Sequence, residues 1–268
     1  MRFDVAVEGG RVVLPKGTVE PINIGISAGK IALLSTSSIE ADRRIDAAGK
    51  TVIPGLVDQH FHCWWGYGVE THEIASRAAA RGGVTTLVEM PLDKPATTTR
   101  ALLRRKIDAV RSEYHVDFAM IGGVEPHQLD NIESLVDEGV VAIKIFTGDV
   151  APPGMYPGVD DGDLLHLMRI VKSKGIPLMA HCENAAIVRA ETNRVKAEGK
   201  SGPSAWDEAR PWFAEVEAVQ RIALLAKVTG ARVIVVHIST PEAIDIVSEA
   251  RQSGVDIWTE TLPHQLCI

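Results

Sequence analysis

From Thr51 onward, short apolar runs alternate with helix-length amphipathic segments, and no other feature limits the possible folds so tightly. The runs are Thr51–Val57, Val84–Met90, Phe118–Ile121, Val140–Phe146, Ile176–Ala180, Val233–Ile238 and Val255–Glu260. Between them lie Ile74–Arg81, Ala101–Glu113, Leu129–Glu138, Leu164–Lys174, Val216–Thr229 and Glu242–Gln252. Strict β-then-α order implies parallel strands joined by right-handed crossovers. A barrel of this kind closes with eight strands, and seven candidates are present. An open doubly wound sheet is the alternative, but no G-x-G-x-x-G turn follows the first strand. The expected fold is therefore α/β: a (β/α)8 TIM-type barrel over residues 51–268, C-terminally truncated. Its missing eighth strand would leave two raw edges, so this piece alone is expected to be poorly soluble and nearly inactive.

Local signals agree. In Val216–Thr229, the residues Val216, Val219, Ile222, Ala223 and Ala226 recur at three- and four-residue spacing and share one helical face. Gly230 follows where a left-handed cap is needed. Ser239-Thr240-Pro241-Glu242 offers an N-cap hydroxyl, a first-turn proline and an acid. Residues 1–50 read differently, as short strands turned at Gly9-Gly10 and Ala28-Gly29-Lys30. They predict a small antiparallel β unit, too thin to hold a core alone.

Composition excludes several classes. Hydrophobic residues make up 46% and charged residues 24%, as in globular proteins rather than disordered ones. A net charge of −7 without dense runs of either sign argues against a nucleic-acid or anionic-membrane surface. No apolar run approaches the ~20 residues of a membrane span. Met1-Arg2-Phe3-Asp4 meets an acid before any hydrophobic stretch, unlike a signal peptide. Three scattered cysteines do not make a disulfide framework. The expected location is cytoplasmic.

The chemistry gathers at strand ends. His60 and His62 close the first barrel strand at i, i+2 spacing, which points both imidazoles to one side. His181 ends the fifth strand and His237 the sixth. Carboxyl ends of parallel strands are where barrel sites form, and four imidazoles there suit a metal. A lone strand-end histidine is commonly only a satisfied polar residue; four together are not. Lys144 sits inside the apolar run of the fourth strand. Such a lysine is costly unless paired, neutral or snorkelling. A neutral amine can also add carbon dioxide, giving a carbamate whose oxygens could bridge two cations. His72, His115, His127 and His166 read as surface or structural residues at the far end of the units, and His264 as supporting the site or the substrate. Cys182 should turn away from the face of His181 and pack.

Together these motifs resemble the cyclic amidohydrolases of the dihydroorotase, hydantoinase and allantoinase group. The resemblance runs along the whole chain, from the N-terminal β unit through Pro54-Gly55-Leu56-Val57-Asp58-Gln59-His60-Phe61-His62 to Glu260-Thr261-Leu262-Pro263-His264. Ala180-His181-Cys182-Glu183-Asn184, then Arg210-Pro211, Glu215-Val216-Glu217-Ala218 and Val235-Val236-His237-Ile238-Ser239 carry it further. It implies a metal-dependent barrel with a small β-sandwich, residues 1–50 supplying its N-terminal part. His60, His62, His181 and His237 would hold two divalent ions, zinc first among the candidates, with Lys144 as the carbamylated bridge. It also implies hydrolysis of a small cyclic ureide or amide, in a homo-oligomer. Allantoinases match best, at Gly82–Leu92 and Pro157-Gly158-Val159-Asp160-Asp161. Asp149 stands where hydantoinases carry a tyrosine, and His264-Gln265 replaces the usual His-Tyr. The family's proton-carrying aspartate, on the eighth strand, has no counterpart here, so the catalytic carboxylate is unassigned.

Overall fold

The computed structural model describes residues 2–150 and 156–267, without the side chain of His264. The chain divides into two compact units, residues 1–56 and 57–268.

In the first unit, β1 (Phe3–Glu8), β2 (Arg11–Val13), β3 (Val19–Glu20), β4 (Asn23–Ser27), β5 (Lys30–Ser35), β6 (Ala41–Asp46) and β7 (Thr51–Val52) form two sheets. Their orders are β5-β4-β1-β6 and β3-β2-β7. Val12, Ile22 and Ile24 are buried together, with Val52 and Ile26 packed on them, which makes the pair a small sandwich. The expected antiparallel unit is only partly found, because β1 pairs β6, and β2 pairs β7, in parallel. The hairpins β2–β3 and β4–β5 do form, but the chain beyond them returns to pair β6 and β7 in parallel, a choice local turn signals do not record. The run Thr51–Val57 also proves to be two strands, since Pro54 offers no N–H to continue the ladder.

The second unit starts from β8 (Leu56–Phe61), followed by α1 (His72–Arg81), β9 (Val84–Glu89), α2 (Arg100–Val110), β10 (Asp117–Gly123) and α3 (Asn131–Asp137). Then come β11 (Ala142–Phe146), α4 (Asp161–Lys174), β12 (Leu178–His181), α5 (Ala185–Ala197), α6 (Pro203–Ala209) and α7 (Trp212–Thr229). The last elements are β13 (Val233–Val235), α8 (Pro241–Gln252), β14 (Ile257–Thr259) and α9 (Pro263–Cys267). Strands β8 to β14 form one seven-stranded sheet in chain order, the linear sequence of a (β/α) barrel. The register is parallel from β9 through β14.

Alternation along β11 explains what lies on each side. Ile143 and Ile145 join the helices in the main core, beside Leu167, Val171, Val219 and Ile222. Ala142 faces the other way, into the barrel interior with Met90, Ile121, Met179 and Val236. Lys144 shares that parity, so a charged side chain is aimed inward from a strand buried throughout. The cap signals are met: Gly230 ends α7 at φ +68°, and the Thr240 hydroxyl accepts the Ala243 N–H at 3.4 Å. Among the described residues, no helix is long and apolar enough to cross a membrane.

Candidate metal centre

The four strand-end histidines are brought together, as expected. His60 Nε2 lies 3.1 Å from His62 Nε2, and His181 Nδ1 lies 3.0 Å from His237 Nε2. The His60 and His237 rings, 5.6 Å apart, join the two pairs. His237 falls two residues beyond the end of β13 and takes a left-handed backbone at φ +40°. For a histidine that conformation is uncommon, and such strain concentrates at functional sites.

In each pair, a carboxylate engages the far nitrogen of one ring. His60 Nδ1–H donates to Glu260, just past the end of β14, and His181 Nε2–H donates to Glu183 at 2.7 Å. The nitrogens left facing the partner histidines are then bare lone pairs, as a metal ligand requires. Two imidazole nitrogens on a tetrahedral ion, each at ~2.0–2.1 Å, are roughly 3.3 Å apart. The observed pairs need only a small opening to admit a cation. Among the described residues, no three of these side chains already converge as a closed ligand cage.

Burial pushes His62 down to about 3, helped by the charges of His60 and Lys144. It pushes His237 down to about 2, helped by Lys144 and His181. His181 is lowered by burial too, against the pull of Glu183. Neutral imidazoles at ordinary pH are the form that binds metal. Trp64 covers the site, stacked on His62 with ring centroids 4.8 Å apart.

Lys144 is 1% exposed, and among the described residues its Nζ has no hydrogen-bond partner. Neither the salt bridge nor the snorkelling stem is found. The Phe146 ring centre lies 5.1 Å from the amine. Burial lowers its pKa to about 7. Lys106 shows the other solution to the same problem. Equally buried, it reaches Asp93 at 2.7 Å, Glu89 at 3.1 Å and the Met90 carbonyl at 3.3 Å.

That second cluster corrects one reading. His72 is a buried structural residue, one of the two alternatives, but it is not at the far end; its Nε2 lies 2.9 Å from Glu89 at the carboxyl end of β9. Burial raises the Glu89 carboxyl, but His72, Lys106 and Tyr114 together hold it below the usual range. Lys106 was missed; the available signal was its three- and four-residue spacing from Leu103 and Val110, which puts it on the apolar face of α2, where all three are buried. Glu183, Arg210 and Glu260 are the functional residues missed as such, although each lies in a motif at a strand or helix end. Gln265 also finds a contact: its amide donates to the His237 carbonyl at 3.3 Å, beside the strained residue. Cys182 packs into the main core as expected. The His264 side chain lies outside the described residues, and Asp149 is exposed.

A sheet of strands in (β/α) order, with imidazoles near its carboxyl ends and a buried lysine on β11, defines a chain of the (β/α)-barrel class. The comparisons make this particular. The profile of the amidohydrolase family matches residues 51–267, and the chain belongs to that family. An allantoinase of Escherichia coli O9:H4 (strain HS) is 36% identical over 275 aligned residues, 98% of this chain and 59% of that protein. The L-hydantoinase (dihydropyrimidinase) of Arthrobacter aurescens superposes with a TM-score of 0.93 at 36% identity, over 99% of this chain and 60% of that one. A dihydropyrimidinase of Brevibacillus agri NCHU1002 gives 0.88 at 26% identity, over 98% of this chain and 58% of that one. The chain thus spans about three-fifths of the relatives it matches.

Proposed function

We propose that this chain carries the metal-binding face of a cyclic amidohydrolase that opens allantoin to allantoate, in a homo-oligomer. The observation that carries the reading is the unpartnered Lys144 amine beside four imidazoles at strand ends. His60 and His62 would hold one divalent ion, His181 and His237 a second, and a carbamate on Lys144 would bridge them. Imidazole and carbamate oxygen suit zinc first, with cobalt, nickel, iron and manganese as alternatives. The chemistry such ions supply when bound is Lewis acidity toward water and an amide carbonyl.

The residues' own parts follow from their surroundings. The Lys144 amine attacks carbon dioxide; one N–C bond forms, one proton leaves, and a monoanion with two oxygens replaces a buried base. That exchange answers the unmet desolvation of Nζ, because the anion would then lie between cations. Trp64 over His62 shields the site from bulk water. In the overall reaction a ring C–N bond breaks, the carbonyl carbon gains a hydroxyl and the nitrogen a hydrogen. Glu183 and Glu260 already hold imidazoles, so neither is free to carry that proton.

Allantoin is favoured over hydantoins by Asp149, which leaves no tyrosine five residues after Lys144, and by relatives named allantoinase. The hydantoinase likeness in three dimensions supports the second reading. The test is the purified chain, supplied with bicarbonate and zinc, against allantoin, hydantoin and dihydrouracil. A low, chelator-sensitive rate on allantoin, at least about tenfold above the other rings, is the expected result. Preference for hydantoin selects the second reading, and equal rates on all three rings, or a rate that a chelator does not change, rejects both.

A further inference from the structure

A carboxylate on a metal-binding histidine works only as well as it is itself held, and Glu183 is held from three sides. Its backbone is fixed to the end of β11: the Glu183 N–H donates to Thr147 Oγ1 at 2.9 Å, and that hydroxyl lies 3.0 Å from the Glu183 carbonyl. Its carboxylate takes His181 Nε2–H with Oε2, and the Arg210 guanidinium pairs with the same oxygen. Arg210 in turn donates to the Val150 carbonyl at 3.3 Å and lies 4.4 Å from the centre of the Trp206 ring. Arg210 and Trp206 both come from the α6 region, which lies between β12 and α7. That stretch adds no strand to the sheet.

We propose that Glu183 and Arg210 are positioning residues: clamped by Arg210, Glu183 holds His181 in the Nε2–H tautomer with its Nδ1 lone pair aimed at His237 Nε2. The proposal rests on the metal-centre reading for its purpose, though not for its geometry. An imidazole free to switch tautomer or flip its ring presents an N–H to the ion part of the time. Outer-shell partners of ligand histidines typically contribute 10–100-fold in metal affinity. Arg210 gives the carboxylate one fixed orientation, and Trp206 supports Arg210 through its ring face. The role of α5–α6 in this account is to deliver that clamp.

Two readouts separate the proposal from the reading beneath it. Long-range proton–nitrogen spectra of the histidine rings in metal-free chain report the tautomer, and Co²⁺ titration followed by visible absorption reports affinity and ligand field. The wild type should show His181 as Nε2–H. Glu183→Ala should mix the tautomers, lower Co²⁺ affinity about 10–100-fold and alter the absorption bands. Glu183→Gln, whose amide oxygen can still accept from Nε2–H, should retain the tautomer and most of the affinity. Arg210→Met should fall between them, and it carries the test if circular dichroism shows Glu183→Ala unfolded. His181 as Nδ1–H in the wild type, or a Glu183→Ala protein with unchanged tautomer and affinity, overturns the proposal. A wild type that binds no Co²⁺ but loses its tautomer preference in Glu183→Ala overturns the metal reading and leaves the positioning pair standing.

Discussion

Lys106 and Lys144 are each 1% exposed, yet carboxylates lie within reach of the first alone. The lone amine has a measurable consequence in metal-free, carbon-dioxide-free chain. Its folded-state pKa, about 7, lies below the ordinary 10.5. Below pH 7 both folded and unfolded chains bind the proton, and the fold carries the full cost of a buried cation. Between 7 and 10.5 the unfolded chain alone binds it, so stability rises with pH by up to roughly 1.4 kcal/mol per unit. Urea unfolding between pH 7 and about 8.5, below the range where the raised Cys63 and Cys182 thiols act in the opposite sense, should show the rise, and Lys144→Met should abolish it; an unchanged slope would count against the orphaned amine. His62 and His237 act at the other end. Held neutral down to about 3 and about 2, they leave the unfolded chain binding more protons below 6.5. Stability of the metal-free chain should therefore fall as pH drops from 6.5 toward 3, and His62→Gln with His237→Asn should flatten that fall. At this scale the histidines and Lys144 were legible because strand ends and apolar runs are local patterns. Glu260 was not, because its partner His60 lies 200 positions away; Glu183 was not, because its contact with His181 two residues back depends on where the chain turns after β12.

Among the elements, the seven strands and six of the helices were legible because each carries a local apolar run or stripe in the sequence, although β8 keeps none of its residues fully buried. Helix α5 was missed for the converse reason: of its residues only Val188 and Val195 are buried. The seven-residue α6 buries only alanines, Ala205 and Ala209. The motif at Pro157–Asp161, in contrast, has a physical reason the sequence did not disclose. A side chain at Gly158 would place its Cβ 1.7 Å from the Gly148 carbonyl oxygen, because the two glycine backbones lie against each other. Gly158→Ala should cost at least about 1–3 kcal/mol, the usual range for overpacking, read as a lowered midpoint in thermal unfolding. A melt identical to wild type would show that these two segments do not touch.

For the whole molecule, the β8–β14 sheet has two edges, one of them at each end of its strand order. Glu260, beyond the last strand, nonetheless bonds His60 on the first, so the sheet curls until its ends approach across the site. A cavity of about 310 Å³ lies between the two edge strands, lined by Gln59, Arg232, Ile234, Asp256, Trp258 and Thr259 and by none of the four histidines. Trp258, on edge strand β14, is 49% exposed. Unpaired edges template further pairing, so sedimentation of the purified chain should show association that grows with concentration, and a strict monomer would contradict this. Family and architecture were legible at this scale, while the parallel pairs of the N-terminal sandwich were not. The metal centre underlies all of these properties, and elemental analysis of the purified chain in bicarbonate buffer tests it most directly. Close to two divalent ions per chain, with most lost in Lys144→Ala, is the predicted result. A chain without bound metal, or with the same content after Lys144→Ala, would contradict it.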